Sequence, residues 1–497
     1  MTVVAQEQLR TPNLNSVVPQ RFAPVLAELA PLGDIFRKAN RRLYVVGGTV
    51  RDLLLDRAMG EVDFDFTTDA RPDETKRFLT GWADAVWTTG ERFGTISAQK
   101  NGRTYEITTH RAEAYSPDSR KPDVEFSNDI ATDLSRRDFT INAMALEVTS
   151  TVPELVDPYG GAADLISRTL RTPLSPEISF TDDPLRMMRA ARFISQLKVT
   201  PDDALVAAVR AMASRLEIVS MERIHHELDK LLVTDSPTAG LWFLMDTGLA
   251  EIFFPELPAM RLEQDPIHRH KDVLTHTFAV VENVRPDASP TFDFRLTRLA
   301  ALFHDIGKPR TRAVKDGKGV TFHHHEVVGA RMSRDRLRAL KYSNEDVTAI
   351  TELVALHLRF HTYQMGWTDS AVRRYVRDAG SLLAELNVLT RCDCTTRNER
   401  KARVLSERMD ELEARIAVLS AQEELAMLRP ELDGLQVIEI LNVPAGRIVG
   451  AALDHLMEIR LEEGVLGDDE IRLRLIDWWE KNKNDAASMK GSTRPRR

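Results

Sequence analysis

The sequence has little cysteine and no long apolar run. Cys392 and Cys394 are its two cysteines, so disulfide bonds do not build this fold, and a reducing compartment is expected. No stretch approaches the roughly 20 apolar residues that a membrane-spanning helix needs. The first residues, MTVVAQEQLRTPNLN, contain no apolar region typical of a secretory signal. We therefore expect a cytoplasmic protein with no membrane partner.

An excess of positive charge is also missing. The formal net charge is −8 at pH 7, so bulk attraction to nucleic acid is excluded, and an RNA partner would have to bind local basic patches. Hydrophobic residues make up 43% of the chain and charged residues 29%, as in an ordinary globular protein. A chain of 497 residues is too long for a single core, and we expect about three or four domains.

The stretch 43–69, LYVVGGTVRDLLLDRAMGEVDFDFTTD, organises the rest of the chain. Leu43–Val46 is typical of a buried strand that ends at Gly47 and Gly48, and the spacing over Val50–Leu55 predicts a short helix. Amides that open a helix form a cradle for phosphate, and Arg51 adds a cation. A Gly-Gly pair alone usually marks only a turn.

The next strand contains two acids. Side chains alternate along a strand, so Val62, Phe64 and Phe66 should face a core while Asp63 and Asp65 share the other face. Paired carboxylates repel each other unless cations lie between them, as in a two-metal phosphoryl-transfer site. Such a pair alone is often a solvated face or part of a calcium loop. Together with the glycine turn, it indicates nucleotidyl transfer from a nucleoside triphosphate.

In this order, the two motifs resemble the class II nucleotidyltransferase family of tRNA CCA-adding enzymes and bacterial poly(A) polymerases. The resemblance implies an α/β head with a polymerase β-like mixed sheet, followed by all-α neck, HD and tail domains. It also implies that Asp63 and Asp65 hold two Mg²⁺ ions. By the same resemblance, Gly48 and Arg51 contact the triphosphate of CTP or ATP.

A third acid, Glu106, lies in the predicted strand 104–109 and shares a face with Thr104 and Thr108. From the residues alone, a solvated position and a third catalytic carboxylate are about equally plausible. The family places an acid in a comparable strand, which favours the catalytic interpretation. The following stretch, 111–128, is polar, contains two prolines and has no period, and it predicts a loop that is mobile in similar enzymes.

Two further segments match motifs of the family. Arginines before an apolar run are usually surface charges, but the string 133–143, DLSRRDFTINA, matches a motif in which Arg137 contacts the nucleotide. In that motif, Asp138 and Asn142 shape the sugar pocket. The string 181–193, TDDPLRMMRAARF, predicts a helix with an acid at its cap and a proline at its first position.

Asp183 and Arg186 in this helix are predicted i, i+3 neighbours. One interpretation is a capping acid paired with an arginine, which stabilises a helix by a few tenths of a kcal/mol. The alternative is that the carboxylate and the guanidinium together imitate a base edge and select C or A, as in the family. Arg189 and Arg192 continue the row of nucleotide-binding candidates. Arg192 should face away from Asp183, so a phosphate or structural contact is the more plausible role for it.

A second constellation follows between residues 268 and 393. The order of its histidines and acids resembles the HD phosphohydrolase superfamily, in which such residues bind one or two divalent metals. Imidazole and carboxylate suit manganese, iron, nickel or magnesium chemistry on phosphate esters. Neither the identity of this metal nor retained hydrolase activity follows from the sequence. The predicted ligands are His276, His304, Asp305, His325, His357 and Asp393.

The predicted domains are a nucleotidyltransferase head (22–172), a helical neck that binds the base and RNA (173–262), an HD domain (263–396) and a tail that binds tRNA (397–490). We expect a template-independent tRNA nucleotidyltransferase that adds CCA from CTP and ATP. The alternatives are A-only, CC-only or poly(A) addition, and an HD-type phosphohydrolase. Segment 90–93 reads GERF, with an acid where bacterial poly(A) polymerases have a basic residue, which favours CCA addition. The oligomeric state is not predicted.

Overall fold

A computed structural model describes residues 20–57, 63–114, 123–262, 272–287, 291–315, 319–365, 367–395, 399–423 and 429–488. The chain divides into two compact units, Met1–Pro258 and Ala259–Arg497. The predicted division into four domains is finer than this and stays a prediction.

The first unit is built on a seven-stranded mixed sheet with the strand order β3-β4-β5-β2-β1-β8-β9. β2 and β5 run parallel, and the other neighbouring pairs are antiparallel. The strands are β1 (Leu43–Val46), β2 (Phe64–Thr68), β3 (Ala85–Trp87), β4 (Thr95–Lys100), β5 (Arg103–Thr109), β6 (Arg111–Ala114), β7 (Asp123–Phe126), β8 (Ala145–Glu147), β9 (Leu155–Val156) and β10 (Thr169–Leu170).

The helices of this part of the chain are short, apart from the first. They are α1 (Ala23–Lys38), α2 (Gly48–Leu54), α3 (Pro72–Leu79), α4 (Ile130–Ser135) and α5 (Gly161–Ser167), with 3₁₀ turns at Gln20–Phe22, Glu91–Phe93 and Thr140–Asn142.

The core face of β2 is aromatic, as its alternation predicts. Phe64 and Phe66 are 0% and 1% exposed, and both rings lie within 6.0 Å of the Tyr105 ring on β5. Val62 lies outside the described residues. This packing fixes the register of β2, because a one-residue slip would turn both phenylalanines to the opposite face. It therefore holds Asp65 on the face away from this aromatic core.

The prediction of a loop over residues 111–128 is wrong in part. β6 and β7 pair as an antiparallel hairpin with Arg111 opposite Phe126. The hairpin is attached to the head by Arg111, whose Nη1 donates to the Phe93 carbonyl at 2.8 Å. Backbone pairing and this anchor build the hairpin despite its polar sequence, which gives no strand period.

Helices follow the head within the first unit. The elements are α6 (Pro176–Asp182), α7 (Leu185–Leu197), β11 (Thr200–Pro201), α8 (Asp203–Met212), a 3₁₀ segment (Ala213–Ile218), α9 (Met221–Leu232), α10 (Thr238–Asp246), α11 (Leu249–Phe253) and α12 (Glu256–Ala259). α7 packs against both α9 and α10 and buries most of its residues. It is the helix that joins the head to the helical part of this unit, since it also contacts β10 and β11.

Within its described residues, the second unit is helical apart from one hairpin. Its elements are α13 (Val273–Asn283), α14 (Phe294–Phe303), α15 (Lys308–Thr311), β12 (Arg312–Lys315), β13 (Gly319–Phe322), α16 (His325–Ala339), α17 (Asn344–Leu356), a 3₁₀ segment (Arg359–Met365), α18 (Asp369–Ala379), a 3₁₀ turn (Gly380–Leu382), α19 (Leu383–Asp393), α20 (Glu399–Glu423), α21 (Gly434–Leu441), α22 (Arg447–Glu463) and α23 (Asp468–Ser488). The last three helices share an apolar cluster that includes Leu432, Leu456 and Leu475.

Candidate functional site

Two arginine side chains lie against the glycine turn between β1 and α2. Gly47 has φ +71°, and a Cβ there would lie 3.2 Å from Arg137 Nη1. A Cβ on Gly48 would lie 3.5 Å from Arg51 Nη2. Both guanidinium groups therefore lie against the glycine turn. The Arg51 guanidinium is buried and donates to the Asp52 carboxylate through Nε at 3.0 Å and Nη2 at 2.8 Å. Amides at a helix start together with two guanidinium groups suit a polyphosphate.

The three predicted acids lie on neighbouring strands. Asp65 in β2 is the register partner of Glu106 in β5, so their side chains leave the same face of the sheet side by side. Asp63 directly precedes β2, and its Oδ1 accepts a hydrogen bond from the Thr104 backbone N at 3.2 Å. All three acids are exposed. The prediction that Asp63 and Asp65 share a strand is therefore off by one residue at the strand start.

These acids share one electrostatic environment with Arg137. Desolvation raises the pKa of Asp65, while Arg137 lowers it and Asp63 raises it further. The pKa of Glu106 is raised by desolvation, then by Asp65 and Asp63. Because Arg137 also lies against Gly47, it is the residue that links the acids to the glycine turn. Three carboxylates supply only oxygen donors, which fits hard divalent cations such as Mg²⁺.

The carboxylates of the head do not converge as tightly as a closed metal triad. Among the described residues, groups of three ligand atoms within 4.8 Å of one another occur only in the second unit. Like charges repel one another when no cation lies between them, which opposes a closer approach of these carboxylates.

A chain of hydrogen bonds connects the glycine turn to the neck helix α7. Arg51 Nη1 donates to Asn142 Oδ1 at 2.7 Å, and Asn142 Nδ2 donates to Asp138 Oδ1 at 3.0 Å. The other oxygen of Asp138 accepts from Arg189 Nε at 2.8 Å. Four of the predicted nucleotide-binding residues are therefore linked in one chain, and Arg189 ties the other three to α7.

The Asp138 carboxylate is fully engaged by protein groups. Burial would raise its pKa, but Arg189 and the Asn142 amide outweigh burial and lower the pKa to about 2. Asp138 and Asn142 are 8% and 6% exposed. Asp138 thus stays ionised and fixes the orientation of the Asn142 amide and the Arg189 guanidinium.

The side-chain pairing predicted for Asp183 and Arg186 is wrong. Arg186 Nη1 donates to Ser179 Oγ at 2.9 Å, and Arg186 Nη2 donates to the Arg136 carbonyl. Asp183 instead accepts from Arg223 Nη2 of α9 at 3.0 Å. Asp183 has extended backbone angles, φ −142° and ψ 100°, so it precedes α7 and does not share a helical face with Arg186.

Arg192 makes a structural contact, which is one of the two roles that the sequence predicts for it. Arg192 Nε donates to Glu227 Oε2 of α9 at 2.8 Å, and its guanidinium lies 4.2 Å from the Phe193 ring centre. The arginine side chain is 11% exposed. This buried ion pair joins α7 to α9, and it leaves little of Arg192 accessible to a nucleotide.

In the second unit, three buried histidines are oriented by the same kind of hydrogen bond to a backbone carbonyl. The Nδ1 atoms of His304, His325 and His357 each lie within 2.8 Å of the carbonyl oxygen three residues earlier. Donation to that carbonyl fixes one tautomer and leaves Nε2 as the acceptor that a metal needs. Within the described part of the chain, Nε2 of His325 and Nε2 of His357 are buried without a hydrogen-bond partner.

The predicted HD ligands form two groups around Asp305. One group is Asp305, His325 and His357, and the other is His276, His304 and Asp393. Asp305 Oδ1 lies 3.3 Å from His325 Nε2, and its Oδ2 lies 3.2 Å from His304 Nε2, so this carboxylate joins the two groups. Neutral imidazole and carboxylate donors with unpartnered Nε2 atoms fit a divalent metal centre.

The pKa values of two histidines of this centre are shifted in opposite directions. Burial and repulsion by His304 lower the pKa of His357 to about 3. Burial would also lower the pKa of His304, but Asp305 and Asp393 outweigh it and raise the pKa to about 10. His357 is therefore held neutral, whereas His304 is held by two carboxylates that compete with a metal for its Nε2.

The cysteines beside Asp393 are not part of the ligand groups. Burial, followed by repulsion from Asp393, raises the pKa of Cys392 to about 12 and that of Cys394 to about 11. Thiols that remain protonated are poor metal ligands.

Several partners of the predicted residues were missed by sequence reasoning. Arg223 and Glu227 lie on α9, far in sequence from the residues they hold, and no spacing links them to α7. Thr395 is different, since it lies two residues after Asp393 and its Oγ1 is 2.8 Å from His276 Nδ1. A search for hydroxyls next to each predicted ligand would have found it.

Three family models match the chain. Residues 43–171 match the poly A polymerase head domain, residues 198–260 match the probable RNA and SrmB-binding site of polymerase A, and residues 273–419 match the HD domain. A relative matches nearly from end to end: the A-adding tRNA nucleotidyltransferase of Deinococcus radiodurans is 31% identical over 449 residues, which are 88% of this chain and 95% of that protein. The chain belongs to the family of tRNA nucleotidyltransferases and bacterial poly(A) polymerases.

Other relatives match over a shorter range. The CCA-adding enzyme of Lactobacillus helveticus is 39% identical over 232 residues, which are 46% of this chain and 56% of that enzyme. The CCA-adding enzyme of Levilactobacillus brevis is 41% identical and is covered over 53% of its length. The chain thus spans about half the length of these relatives.

Solved structures support the fold. The CCA-adding enzyme of Bacillus stearothermophilus in complex with CTP superposes with a TM-score of 0.67 at 24% identity, covering 94% of this chain and 100% of that one. A Thermotoga maritima CCA-adding enzyme complexed with tRNA has a TM-score of 0.58 at 18% identity, covering 93% of this chain and 96% of that one.

The predicted family and fold class are confirmed. The chain has a polymerase β-like mixed-sheet head followed by helical regions and an HD domain, and it belongs to a family whose named members include a tRNA nucleotidyltransferase. Both the nucleotidyltransferase and the HD families depend on metals. Across the residues that the structure describes, we find no helix with the length and apolar character to cross a membrane.

Proposed function

We propose that this chain adds CCA to tRNA 3′ ends, using CTP and ATP without a nucleic acid template. The observation that supports this most directly is the position of Arg137. Its guanidinium lies 3.2 Å from the place of a Cβ on Gly47 and lowers the pKa of Asp65. A triphosphate on the glycine turn would therefore lie beside the acids.

The roles of the head residues follow from this placement. Asp63 and Asp65 would hold two Mg²⁺ ions, with Glu106 assisting. When bound, such ions would lower the pKa of the attacking 3′-hydroxyl and neutralise the charge of the leaving pyrophosphate. Gly48, Arg51 and Arg137 bind and orient the triphosphate. Positioning and charge account for this chemistry, so no serine or cysteine nucleophile is needed.

The sugar and base contacts come from the motif after β7 and from the start of α7. Asp138 and Asn142 shape the sugar pocket, and Arg189 holds them in place. Asp183 presents an acceptor to the base. Arg223, paired with Asp183, supplies the donors beside it that the sequence assigned to Arg186.

We extend the proposal to the whole chain. The head (22–172) and neck (173–262) hold the nucleotide and the RNA end, the HD domain (263–396) holds a divalent metal, and the tail (397–490) binds tRNA. The scarcity of cysteine fits a cytoplasmic enzyme.

The test uses tRNA transcripts that end before CCA, incubated with CTP, ATP or both, and sequencing of the products. Addition of two C residues with CTP alone and of CCA with both nucleotides is expected. Unlimited A addition without CTP would show a poly(A) polymerase. No incorporation under any of these conditions would contradict the proposal.

A-only addition is the second candidate. It is favoured by the end-to-end match to an A-adding enzyme, which covers 95% of that relative. The decisive substrate is a tRNA that already ends in CC, offered in parallel with one that ends before CCA. An A-only enzyme extends the first with ATP and leaves the second unchanged with CTP.

The second unit suggests an additional phosphohydrolase activity. Its two groups of three ligand atoms fit a centre for phosphate esters. Hydrolysis of bis-p-nitrophenyl phosphate with added Mn²⁺ or Ni²⁺ measures this activity, and His304→Ala should abolish it while CMP incorporation persists. If His304→Ala hydrolyses the ester as fast as the wild type does, the centre is not a hydrolase.

A further inference from the structure

Helix α16 exposes a row of arginines on one face. Arg331, Arg334 and Arg338 are separated by three and four residues, so they lie on one side of the helix, and all three are exposed. Lys341 follows just beyond the helix end and is also exposed. We name these four residues the α16 basic face. The opposite side of the helix is buried, with Leu337 at 0% exposure.

The cations of this face have no ion-pair partner among the residues that the structure describes. No carboxylate of a described residue lies within the 4.0 Å ion-pair distance of any of the four. Exposed arginines elsewhere in the same unit are paired, for example Arg472 with Asp468 at 2.9 Å and Arg474 with Glu463 at 3.1 Å. Asp335 is the single acid between Arg331 and Lys341 in the sequence, so the face keeps a positive surplus.

We propose that the α16 basic face binds the phosphate backbone of the tRNA substrate. The proposal rests on the tRNA nucleotidyltransferase function and adds a surface in the second unit to it. Arg331 and Arg338 are seven residues apart, or roughly 10 Å along the helix axis, so the face presents several cations along one line, as contact with an extended phosphate backbone requires. Guanidinium groups bind phosphate in a bidentate way.

The charge of the whole chain makes a local surface necessary. With a net charge of −8, the protein repels a polyanion at long range, so contacts must come from patches where cations are concentrated. The α16 basic face supplies positive charge, but its side chains are not arranged to distinguish one base from another. It therefore contributes affinity and orientation for any tRNA and does not select a sequence.

The test compares two triple variants. Arg331→Glu/Arg334→Glu/Arg338→Glu reverses the face, and Lys38→Glu/Lys76→Glu/Arg77→Glu reverses the same charge on exposed positions of α1 and α3. Filter binding of a tRNA transcript that ends before CCA is measured over a series of salt concentrations. Thermal unfolding curves that match the wild type show that both variants fold.

The face variant should bind tRNA about tenfold or more weakly at about 0.1 M salt, and the slope of log Kd against log salt should fall by about two to three. The control should stay within about twofold of the wild type. The binding measurement stands apart from catalysis, so a wild type that binds tRNA but adds no nucleotide contradicts the proposed function and not the surface. Unchanged affinity and slope in the face variant overturn the surface proposal and leave an acidic protein as the partner to test.

Discussion

At the scale of single residues, the hydroxyl of Thr395 distinguishes His276 from the other histidines of the HD centre. His304, His325 and His357 are each oriented by a backbone carbonyl, whereas His276 Nδ1 meets the Thr395 hydroxyl at 2.8 Å. A carbonyl fixes one tautomer, but a hydroxyl can donate or accept. His276 is therefore the ligand whose orientation depends on a side chain.

Thr395→Val should weaken binding of Mn²⁺ by about 10- to 100-fold, because it removes the partner that orients His276 without changing side-chain volume. Thr395→Ser should restore the affinity. The measurement is a calorimetric titration of the purified protein with Mn²⁺. Thr348→Val is the matched control, since its hydroxyl bonds only to the Asn344 carbonyl of its own helix. Equal affinities for Thr395→Val and the control would contradict the assignment.

A second prediction at this scale concerns acid stability. The pKa of Asp138 is lowered from 3.8 to about 2 in the folded protein, so its stabilisation is complete above about pH 4 and is lost as the pH falls towards 2. The free energy of unfolding of the wild type should exceed that of Asp138→Asn by a margin that narrows by up to about 2 kcal/mol between about pH 5 and pH 2. Urea unfolding at each pH measures it, and parallel curves would contradict the linkage.

At the scale of elements, the 3₁₀ turn 140–142 depends on a close approach by α5. A Cβ on Gly161 would lie 2.1 Å from the Thr140 carbonyl oxygen, so a side chain there would displace backbone atoms. Gly160 is different, because it has φ +75° and no heavy atom within 4 Å of a Cβ. A substitution at Gly161 therefore tests steric crowding, whereas a substitution at Gly160 tests backbone strain.

Gly161→Ala should lower the free energy of unfolding by about 1–3 kcal/mol and should also weaken nucleotide binding, because the displaced turn contains Asn142. Gly160→Ala should cost about 1 kcal/mol through its left-handed backbone and leave nucleotide affinity unchanged. Denaturant unfolding and equilibrium binding of CTP measure the two effects. Equal nucleotide affinity in both variants would show that the turn does not depend on α5.

Elements with a strong period were predictable, and those held by distant partners were not. The alternation over 62–66 predicts the buried face of β2, and the cap and proline before Leu185 predict the start of α7. The β6–β7 hairpin gives no period, and its anchor, Arg111 on the Phe93 carbonyl, joins residues that only the fold brings together. The pairing of Asp183 with Arg223 is of the same kind, because α9 is 40 residues away in sequence.

At the scale of the whole molecule, two chemically different centres lie in two units. The head offers exposed carboxylates beside a cationic glycine turn, which suits a metal that arrives with a triphosphate. The second unit offers buried imidazoles and carboxylates fixed by backbone carbonyls, which suits a metal that stays bound. The motifs predict both centres because their ligands are close in sequence or follow the family's order, whereas the residues that support them come from other helices.

The central claim is that Asp65 acts on a nucleotide held at the glycine turn. Its most direct test is the single-turnover rate of CMP incorporation into a tRNA ending before CCA by the Asp65→Asn protein. Asp73→Asn is the control, since Asp73 is exposed on the first turn of α3. We predict a loss of at least about a hundredfold for Asp65→Asn and a wild-type rate for the control. A rate for Asp65→Asn within a few-fold of the wild type would contradict the claim.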